Sequence, residues 1–282
     1  MRTTILFLTY LVISFAASVS FADIVLENST SVAFGVRDTV SQSDAYLGAT
    51  GFDVGAGTKL VVAVATEGGT PASFGVTFDG QDLNQIQFST DATNGARSVL
   101  YFLDNVSGVG DVVVTLSDTL NNPGETMSNG PGIFVASLSG AEIGVETSGS
   151  FGNGQSLNGP LSGTLSGVSE GAYAIAVFSD NFLANDILVS GDLTEVSNFN
   201  GSSNNSIGSA SGSVATGFGD GSPLEVTFSD PSPNATFFHS RSNFAYASFA
   251  VASVPEPNSV ALIGLFGLVI FCLLYTSPSP RD

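Results

Sequence analysis

The sequence predicts an all-β protein, a jelly-roll-like β-sandwich, from three observations. Charged residues make up only 11% of the 282 residues, whereas Gly numbers 33 and Phe 22. Few long charged side chains and many Gly, Ser, Thr, Asn and Val residues favour short strands and tight turns over helices. No window of twelve residues between the termini has the helical hydrophobic period. A mean hydropathy of +0.33 supplies apolar surface for a core and argues against disorder.

Residues 1–22 have the pattern of a secretory signal peptide. One cation, Arg2, precedes an apolar stretch from residue 5 to residue 17, and small residues lead up to Ala22. Cleavage is expected between Ala22 and Asp23. Polar residues interrupt the apolar stretch, which is therefore too weak for a stable membrane span.

Apolar runs separated by turn residues predict the strands of the next segment, residues 23–253. Residues 60–65 are continuously apolar, as in a strand that is buried on both faces. Phe74, Val76 and Phe78 alternate before Asp79 and Gly80, a dipeptide typical of hairpin turns. Further strands are predicted at residues 99–103, 112–116, 133–138, 173–178, 187–189, 224–228 and 244–251. Residues 198–221, rich in Gly, Ser and Asn, predict a long surface loop or a weak strand.

A weak internal repeat accompanies these strands. VVVTLSD ending at Asp118 resembles LEVTFSD ending at Asp230, LVVAVATE beginning at Leu60 resembles YAIAVFSD beginning at Tyr173, and Ala136-Ser137-Leu138 resembles Ala247-Ser248-Phe249. The repeat is compatible with one jelly-roll-like sandwich built from two similar halves or with two tandem immunoglobulin-like sandwiches. The single sandwich is favoured because no Pro-rich or charged linker separates the halves. The Gly/Ser-rich residues 149–167 could nevertheless serve as a linker.

Residue types that carry catalysis are scarce between the two ends. The segment has one His, no Cys and one Lys. His239 follows two Phe residues, and no G-x-S-x-G turn frames a serine nucleophile, so a structural role is favoured. Zinc is disfavoured because it needs several His or Cys ligands. The sequence therefore predicts a protein that is not an enzyme. A polysaccharide-active enzyme is kept as the last of three functional alternatives, because the many acidic residues allow pairs of carboxylates.

Two binding sites are weak hypotheses. Asp79, Asp82 and Asn84 form a candidate calcium loop, because calcium prefers carboxylate and amide oxygens. The hairpin turn at Asp79 and Gly80 is the favoured alternative. Tyr46 lies in a polar stretch and is the candidate exposed platform for stacking on a glycan.

The charge balance argues against nucleic acid as a partner. Without Arg2, Arg281 and Asp282, the chain has 24 acidic residues against four basic ones, a net charge of −20. Such a field repels phosphate backbones and anionic lipids. Solubility outside the cell is its simplest interpretation.

The second processing signal occupies residues 254–271. Pro255, Glu256 and Pro257 precede an apolar run over residues 260–271. Two prolines hold the backbone extended and remove two amide donors, which suits a protease substrate. This segment resembles the sorting tail of bacterial PEP-CTERM proteins. The resemblance implies cleavage by an exosortase-type membrane protease, transient anchoring in the inner membrane, and a link to exopolysaccharide-producing Gram-negative bacteria.

The tail departs from that family because no basic cluster follows the apolar run. Residues 272–282, which read CLLYTSPSPRD from Cys272 onward, match the translation of a sequencing-library adapter. We therefore expect the native membrane helix to be truncated after Phe271, since the twelve apolar residues 260–271 are fewer than the ~20 that span a bilayer.

These signals together predict an exported surface or matrix protein. A structural or adhesive component of the extracellular polymer layer is favoured, with extracellular polysaccharide as its partner and no cofactor. A calcium- or glycan-binding extracellular module is the alternative.

Overall fold

The computed structural model describes residues 23–34, 43–55, 58–66, 71–90, 96–118, 131–152, 160–180, 187–200, 211–229 and 242–253. These residues form strands and turns without a helix, which confirms the predicted all-β class. None of them belongs to a helix that could cross a membrane. The signal peptide and residues 254–282 lie outside the described residues. Residues 23–252 form one compact unit.

The first half of this unit, here called the N-terminal sandwich, has two antiparallel sheets. Their orders are β1-β9-β3-β7-β6 and β2-β8-β4-β5. The strands are β1 (Val25–Ala33), β2 (Ser43–Asp53), β3 (Thr58–Thr66), β4 (Pro71–Phe78), β5 (Gln81–Asp82), β6 (Asn84–Thr90), β7 (Arg97–Val106), β8 (Val109–Asp118) and β9 (Gly132–Ser139). Alternating apolar side chains fill the space between the two sheets.

The second half, the C-terminal sandwich, repeats this design with one strand fewer. Its sheets have the orders β10-β17-β12-β15-β14 and β11-β16-β13. The strands are β10 (Thr147–Gly152), β11 (Leu161–Leu165), β12 (Tyr173–Asp180), β13 (Leu188–Gly191), β14 (Thr194–Asn200), β15 (Ser211–Phe218), β16 (Leu224–Ser229) and β17 (Asn243–Phe249).

Both sandwiches have the jelly-roll strand order. In each, the chain passes between the two sheets at most steps, so that most sheet neighbours are distant in sequence. The internal repeat is therefore a structural one, and each half forms its own sandwich. The favoured prediction, one jelly-roll-like sandwich, gave the strand order but not the number of sandwiches. The alternative, two tandem immunoglobulin-like sandwiches, gave the number of sandwiches but a different strand order.

Two of the sequence matches differ in how they relate to this structural repeat. Leu116 and Phe228, 112 residues apart, both point into the core of their own sandwich. Leu60 also points into its own core, but Tyr173, its match at an offset of 113, faces the other sandwich. The structural counterpart of Leu60 is Ala174. Strands β3 and β12 are buried on both faces, so their apolar pattern does not reveal a slip by one residue.

The two sandwiches pack through their five-stranded sheets. The buried residues between these sheets form a shared core, in which Val61, Ala63 and Leu100 meet Ile175, Val177 and residues of β17. The inner strands β3, β9, β12 and β17 are thus covered on both faces, by the partner sheet of their own sandwich and by the other sandwich. The result is a stack of four β-layers.

The architecture decides the loop and linker alternatives. Of the two alternatives for residues 198–221, a surface loop or a weak strand, residues 211–218 form a strand, β15, which is buried between β12 and β14. Its small residues allow close approach: a Cβ at Gly212 would lie 2.6 Å from the Cβ of Ala65 in the other sandwich. Residues 149–167 are not the linker, because they include β10 and β11. Residues 140–146 connect the sandwiches.

Candidate functional site

Asp79 and Gly80 form the predicted hairpin turn. Their φ angles are +47° and +79°, and the flanking residues Phe78 and Gln81 pair between β4 and β5. The positive φ values at both central positions suit the Asp-Gly sequence and match the right-handed twist of the strands. The Asp79 N–H also donates to the Asp111 carbonyl at 3.0 Å. The favoured interpretation of this segment is confirmed.

The candidate calcium ligands are spread over two sheets. Asp82 lies in β5, at the edge of the four-stranded sheet, whereas Asn84 begins β6 in the five-stranded sheet. Leu83 between them is buried. The segment thus crosses from one sheet to the other and is not a continuous ligand loop. In the described part of the chain, no three His, Cys, Asp or Glu side chains are grouped as metal ligands.

Tyr46 is not the exposed platform that the sequence suggested. It lies in β2, is half-buried and packs against the core of the N-terminal sandwich. Its ring meets the ring of Phe34 edge-on, with centroids 5.0 Å apart. The surrounding sequence is polar, but the ring itself points inward.

The residues of the two predicted processing signals fall at or beyond the borders of the described chain. Asp23, which follows the expected cleavage site after Ala22, is exposed one residue before the buried Ile24. Pro255, Glu256 and Pro257 lie outside the described residues, as does His239. The compact unit, residues 23–252, therefore lies between the expected cleavage site and the predicted sorting motif.

A buried ion pair lies where the two sandwiches are connected. Lys59 of β3 contacts the carboxylate of Asp104 on the neighbouring strand β7, and their side chains are 3% and 17% exposed. The same two side chains hold the connecting segment. Lys59 Nζ donates to the Gly144 carbonyl at 2.7 Å, and the Gly144 N–H donates to Asp104 Oδ2 at 2.8 Å. One peptide segment is thus fixed by a cation and an anion of the N-terminal sandwich.

The amine of Lys59 is removed from water, but nearby groups stabilise its positive charge. Its Nζ lies 4.8 Å from the ring centre of Phe102 and 4.9 Å from that of Phe249, which belongs to the C-terminal sandwich. Burial lowers the pKa of Lys59 below its ordinary value, and the ion pair with Asp104 opposes that shift. Two aromatic faces and an ion pair together stabilise the cation between the sandwiches.

Glu146 fixes the other end of the connection to the C-terminal sandwich. Ser248 of β17 donates its hydroxyl to Glu146 Oε2 at 2.7 Å, and the Ser169 N–H donates to Oε1 at 3.1 Å. The Glu146 N–H donates to the Ser248 carbonyl at 2.9 Å. The segment 140–146 is therefore held by side chains of both sandwiches. The end of the molecule that contains this segment and Lys59 is called the joint end.

A second polar contact joins the sandwiches at the opposite end, here called the far end. Ser179 of β12 donates to the Thr66 carbonyl at 2.9 Å, and Ser98 of β7 donates to the Asn243 carbonyl at 3.1 Å. The Asn243 side chain also donates to the Ala96 carbonyl. All of these bonds are buried, so they fix the orientation of one sandwich on the other.

Exposed charge is acidic wherever the structure describes it. The two basic side chains in these residues, Lys59 and Arg97, are 3% and 2% exposed. The acidic side chains, in contrast, lie mostly at the surface. Exposed acids occur at positions 23, 27, 53, 79, 82, 111, 142, 170, 192, 195, 220 and 225. The uncompensated surface repels other polyanions, including copies of the protein itself.

Sequence reasoning missed the Lys59–Asp104 joint. A signal was nevertheless present, because the single lysine of the chain stands directly before the continuously apolar run of residues 60–65. A cation at that place needs a partner if the run is buried on both faces. The identity of the partner depends on the pairing of β3 with β7, which the sequence does not disclose.

No protein-family model matches the chain. No curated protein matches it in sequence. A proposal of function therefore rests on the processing signals and on the geometry of the described residues.

Proposed function

We propose that this protein is an exported, exosortase-processed structural or adhesive component of the extracellular polymer layer of a Gram-negative bacterium. The observation that carries the proposal is the fit between the folded unit and the two signals. Strand β1 begins two residues after Asp23, and the last described contacts, at Val251 and Ala252, come three residues before Pro255. The compact unit thus coincides with the segment expected between the export signal and the sorting signal, which supports the proposal.

The construction of the folded unit supports a role in display. Three consecutive interfaces in a stack of four sheets are apolar cores, and the sandwiches are joined by buried polar bonds at both ends. Such a body keeps its shape without disulfides, which the segment lacks. Its anionic surface remains hydrated and resists self-association in a crowded polymer layer.

Processing is tested in a host that has a matching exosortase, with the apolar tail completed to about 20 residues and followed by basic residues. Changing Pro255→Ala together with Glu256→Ala should leave a longer form in the membrane fraction. The matched control changes Asn258→Ala and Ser259→Ala just outside the motif and should be released like the parent. Equal release of motif mutant and parent would contradict the sorting assignment.

The role in the polymer layer needs a separate measurement. Released protein should co-sediment with the extracellular polymer and leave it after washing with chaotrope but not with buffer. Free protein in the culture supernatant with no polymer-bound fraction would overturn this part of the proposal. Polysaccharide hydrolysis that disappears when one acid is changed to its amide would instead identify an enzyme.

A further inference from the structure

The backbone of two paired strands holds the side chains of Lys59 and Asp104 against each other. The register of β3 and β7 shifts at this point, so that Asp104 and Asn105 together lie opposite Lys59. Asn105 has a φ of +54°, a left-handed conformation that asparagine adopts more readily than most residues. A bulge of this kind re-aims the side chains beside it. Here the Asp104 carboxylate comes into contact with Lys59 Nζ.

Water has little access to this pair. Both side chains are largely buried, and the ring centres of Phe102 and Phe249 lie 4.8 and 4.9 Å from Nζ. Burial lowers the pKa of Lys59, which raises the fraction of neutral, nucleophilic amine. A neutral product is favoured in such a place, because two desolvated charges are costly to keep.

Gly144 distinguishes the two oxygens of the Asp104 carboxylate. Oδ2 accepts a hydrogen bond from the Gly144 N–H at 2.8 Å, whereas Oδ1 contacts Lys59 Nζ. An N–H donor at Oδ2 stabilises the negative charge that develops there when a nucleophile adds to Cγ. Nζ is held as well, because it donates to the Gly144 carbonyl at 2.7 Å. A nucleophile, an electrophile and an oxyanion donor thus meet at the joint end.

We propose that Lys59 and Asp104 condense to an intramolecular isopeptide bond after the chain has folded. The Lys59 ammonium passes one proton to Oδ1, and the neutral amine then adds to Cγ. As the Cγ–Oδ1 bond breaks, Oδ1 takes a second proton from the nitrogen and leaves as water. The third proton stays on the amide nitrogen, so no oxidant, reductant or further reactant is needed. Until the bond forms, the pair remains ionic.

Proximity supplies the advantage that separate amines and carboxylic acids lack in water. Well-oriented groups within one molecule react at effective concentrations of roughly 10⁵–10⁸ M. The product amide retains one C=O and one N–H, the two kinds of group that Gly144 pairs with. It closes a loop between residues 45 positions apart and fastens β3 to β7 beside the segment 140–146. This cross-link goes beyond the proposed function and does not depend on it.

The test is tryptic digestion of the full chain, which is first folded, incubated at neutral pH and then unfolded in urea. Without the bond, cleavage after each Lys and Arg separates residues 38–59, 60–97 and 98–241. With the bond, Lys59 is no longer a cleavage site, and all three segments remain joined in one branched species. Mass spectrometry should find this species in most of the protein, lighter by one water molecule than the sum of its two chains.

Lys59→Met is the matched control, because it also removes the cleavage site but has no amine. Its residues 38–97 and 98–241 should separate. Asp104→Ala keeps the amine without its electrophile, so cleavage after Lys59 should return. The parent digest decides the proposal by itself, so a variant that fails to fold does not affect the result.

A branched species in the parent and in neither variant supports the bond. Complete release of residues 38–59 from the incubated parent overturns it. A branched species in Asp104→Ala would show that Lys59 reacts with another carboxyl group, which overturns the assignment to Asp104.

Discussion

The two sandwiches reach the same strand order with different cores. In the N-terminal core, β3 presents the aliphatic side chains of Leu60, Val62 and Val64 to the four-stranded sheet. Their counterparts in β12 are Ala174, Ala176 and Phe178. The smaller alanines leave room for aromatic rings from β16 and β17. Phe228 lies 5.3 Å from Phe244 between ring centres.

A glycine also makes room for the aromatic rings of the C-terminal core. Gly163 in β11 lies directly against the rings, since a Cβ there would be 2.5 Å from Phe244 and 2.8 Å from Phe151. In the N-terminal sandwich, a Cβ at Gly75 of β4 would meet nothing within 4 Å. The comparison shows that strand order tolerates different partitions of core volume, provided that facing residues complement each other. Four experiments test this comparison of the two cores.

The largest effects should come from equivalent core truncations. Leu116→Ala in the N-terminal sandwich should cost about 2–5 kcal/mol and Phe228→Ala in the C-terminal sandwich about 3–5 kcal/mol, because both side chains are buried. Since the shared core couples the sandwiches, each variant should unfold in one transition. Urea titrations followed by circular dichroism and by tyrosine fluorescence should coincide. Two separated transitions would mean that the sandwiches are independent.

Breaking the ion pair at the joint should reveal an asymmetry. Asp104→Ala leaves a buried ammonium without its counter-ion and should cost about 3 kcal/mol. Lys59→Met keeps the apolar stem, and the more exposed Asp104 retains the Gly144 N–H, so about 1 kcal/mol is expected. Denaturant unfolding measures both values. A larger loss for Lys59→Met would place the critical charge on the lysine.

The two glycines described above give a matched pair. Gly163→Ala should destabilise the protein by about 1–3 kcal/mol, because the new methyl group overlaps the rings of Phe244 and Phe151, which must then shift. Gly75→Ala should stabilise it by about 0.4–1 kcal/mol, because it only restricts the unfolded chain. The thermal midpoints should therefore move in opposite directions. A fall in both would show that the outer sheet of the N-terminal sandwich is less open at Gly75 than described.

Alkaline pH should have a smaller effect than the core truncations. Burial raises the pKa of Tyr173 to about 12 and raises that of Tyr101 further above the ordinary value near 10. The two neutral phenols contribute fully to the stability of the fold below pH 10. This contribution is lost as the pH rises through the folded pKa values. By pH 10.5 the loss should be roughly 1 kcal/mol per phenol. Lys59 acts in the opposite direction, because its lowered pKa makes stability rise with pH below 10.5. The loss of stability from the two phenols should exceed the gain from the single amine, so stability should fall as the pH rises.

Tyr173→Phe provides the corresponding check. The variant should lose less stability than the parent between pH 9.5 and 10.5, measured by denaturant unfolding at each pH. An unchanged alkaline slope would mean that the Tyr173 phenol titrates normally in the folded state.

The sequence was sufficient to predict the class of fold and many of its strands. Continuous apolar runs such as residues 60–65 and 173–178, and the hairpin at Asp79 and Gly80, depend on local patterns that a single chain displays. Strand β15 was ambiguous because Gly212 and Ser213 are small for reasons of packing between sheets. That requirement comes from a distant neighbour, so no local pattern reveals it.

The candidate sites were less predictable for the same reason. Tyr46 stands among polar residues in sequence, yet its exposure depends on which face of β2 meets the core. Asp82 and Asn84 are close in sequence but belong to different sheets, because Leu83 is buried at the crossing. The partner of Lys59 lies 45 residues away and is brought to it by the pairing of β3 with β7. Such contacts follow from tertiary structure.

The burial of the only lysine also determines which reagents and enzymes can act on the folded unit. Amine-directed acylation should reach an α-amino group but not the side chain of Lys59, so that coupling would attach the protein at one known point. Trypsin-like proteases cut after Lys and Arg, and Lys59 and Arg97 are both enclosed in β-sheets. Between residues 23 and 253, the sequence has two further cleavage points, Arg37 and Arg241. The described part of the chain thus presents no exposed Lys or Arg to such a protease.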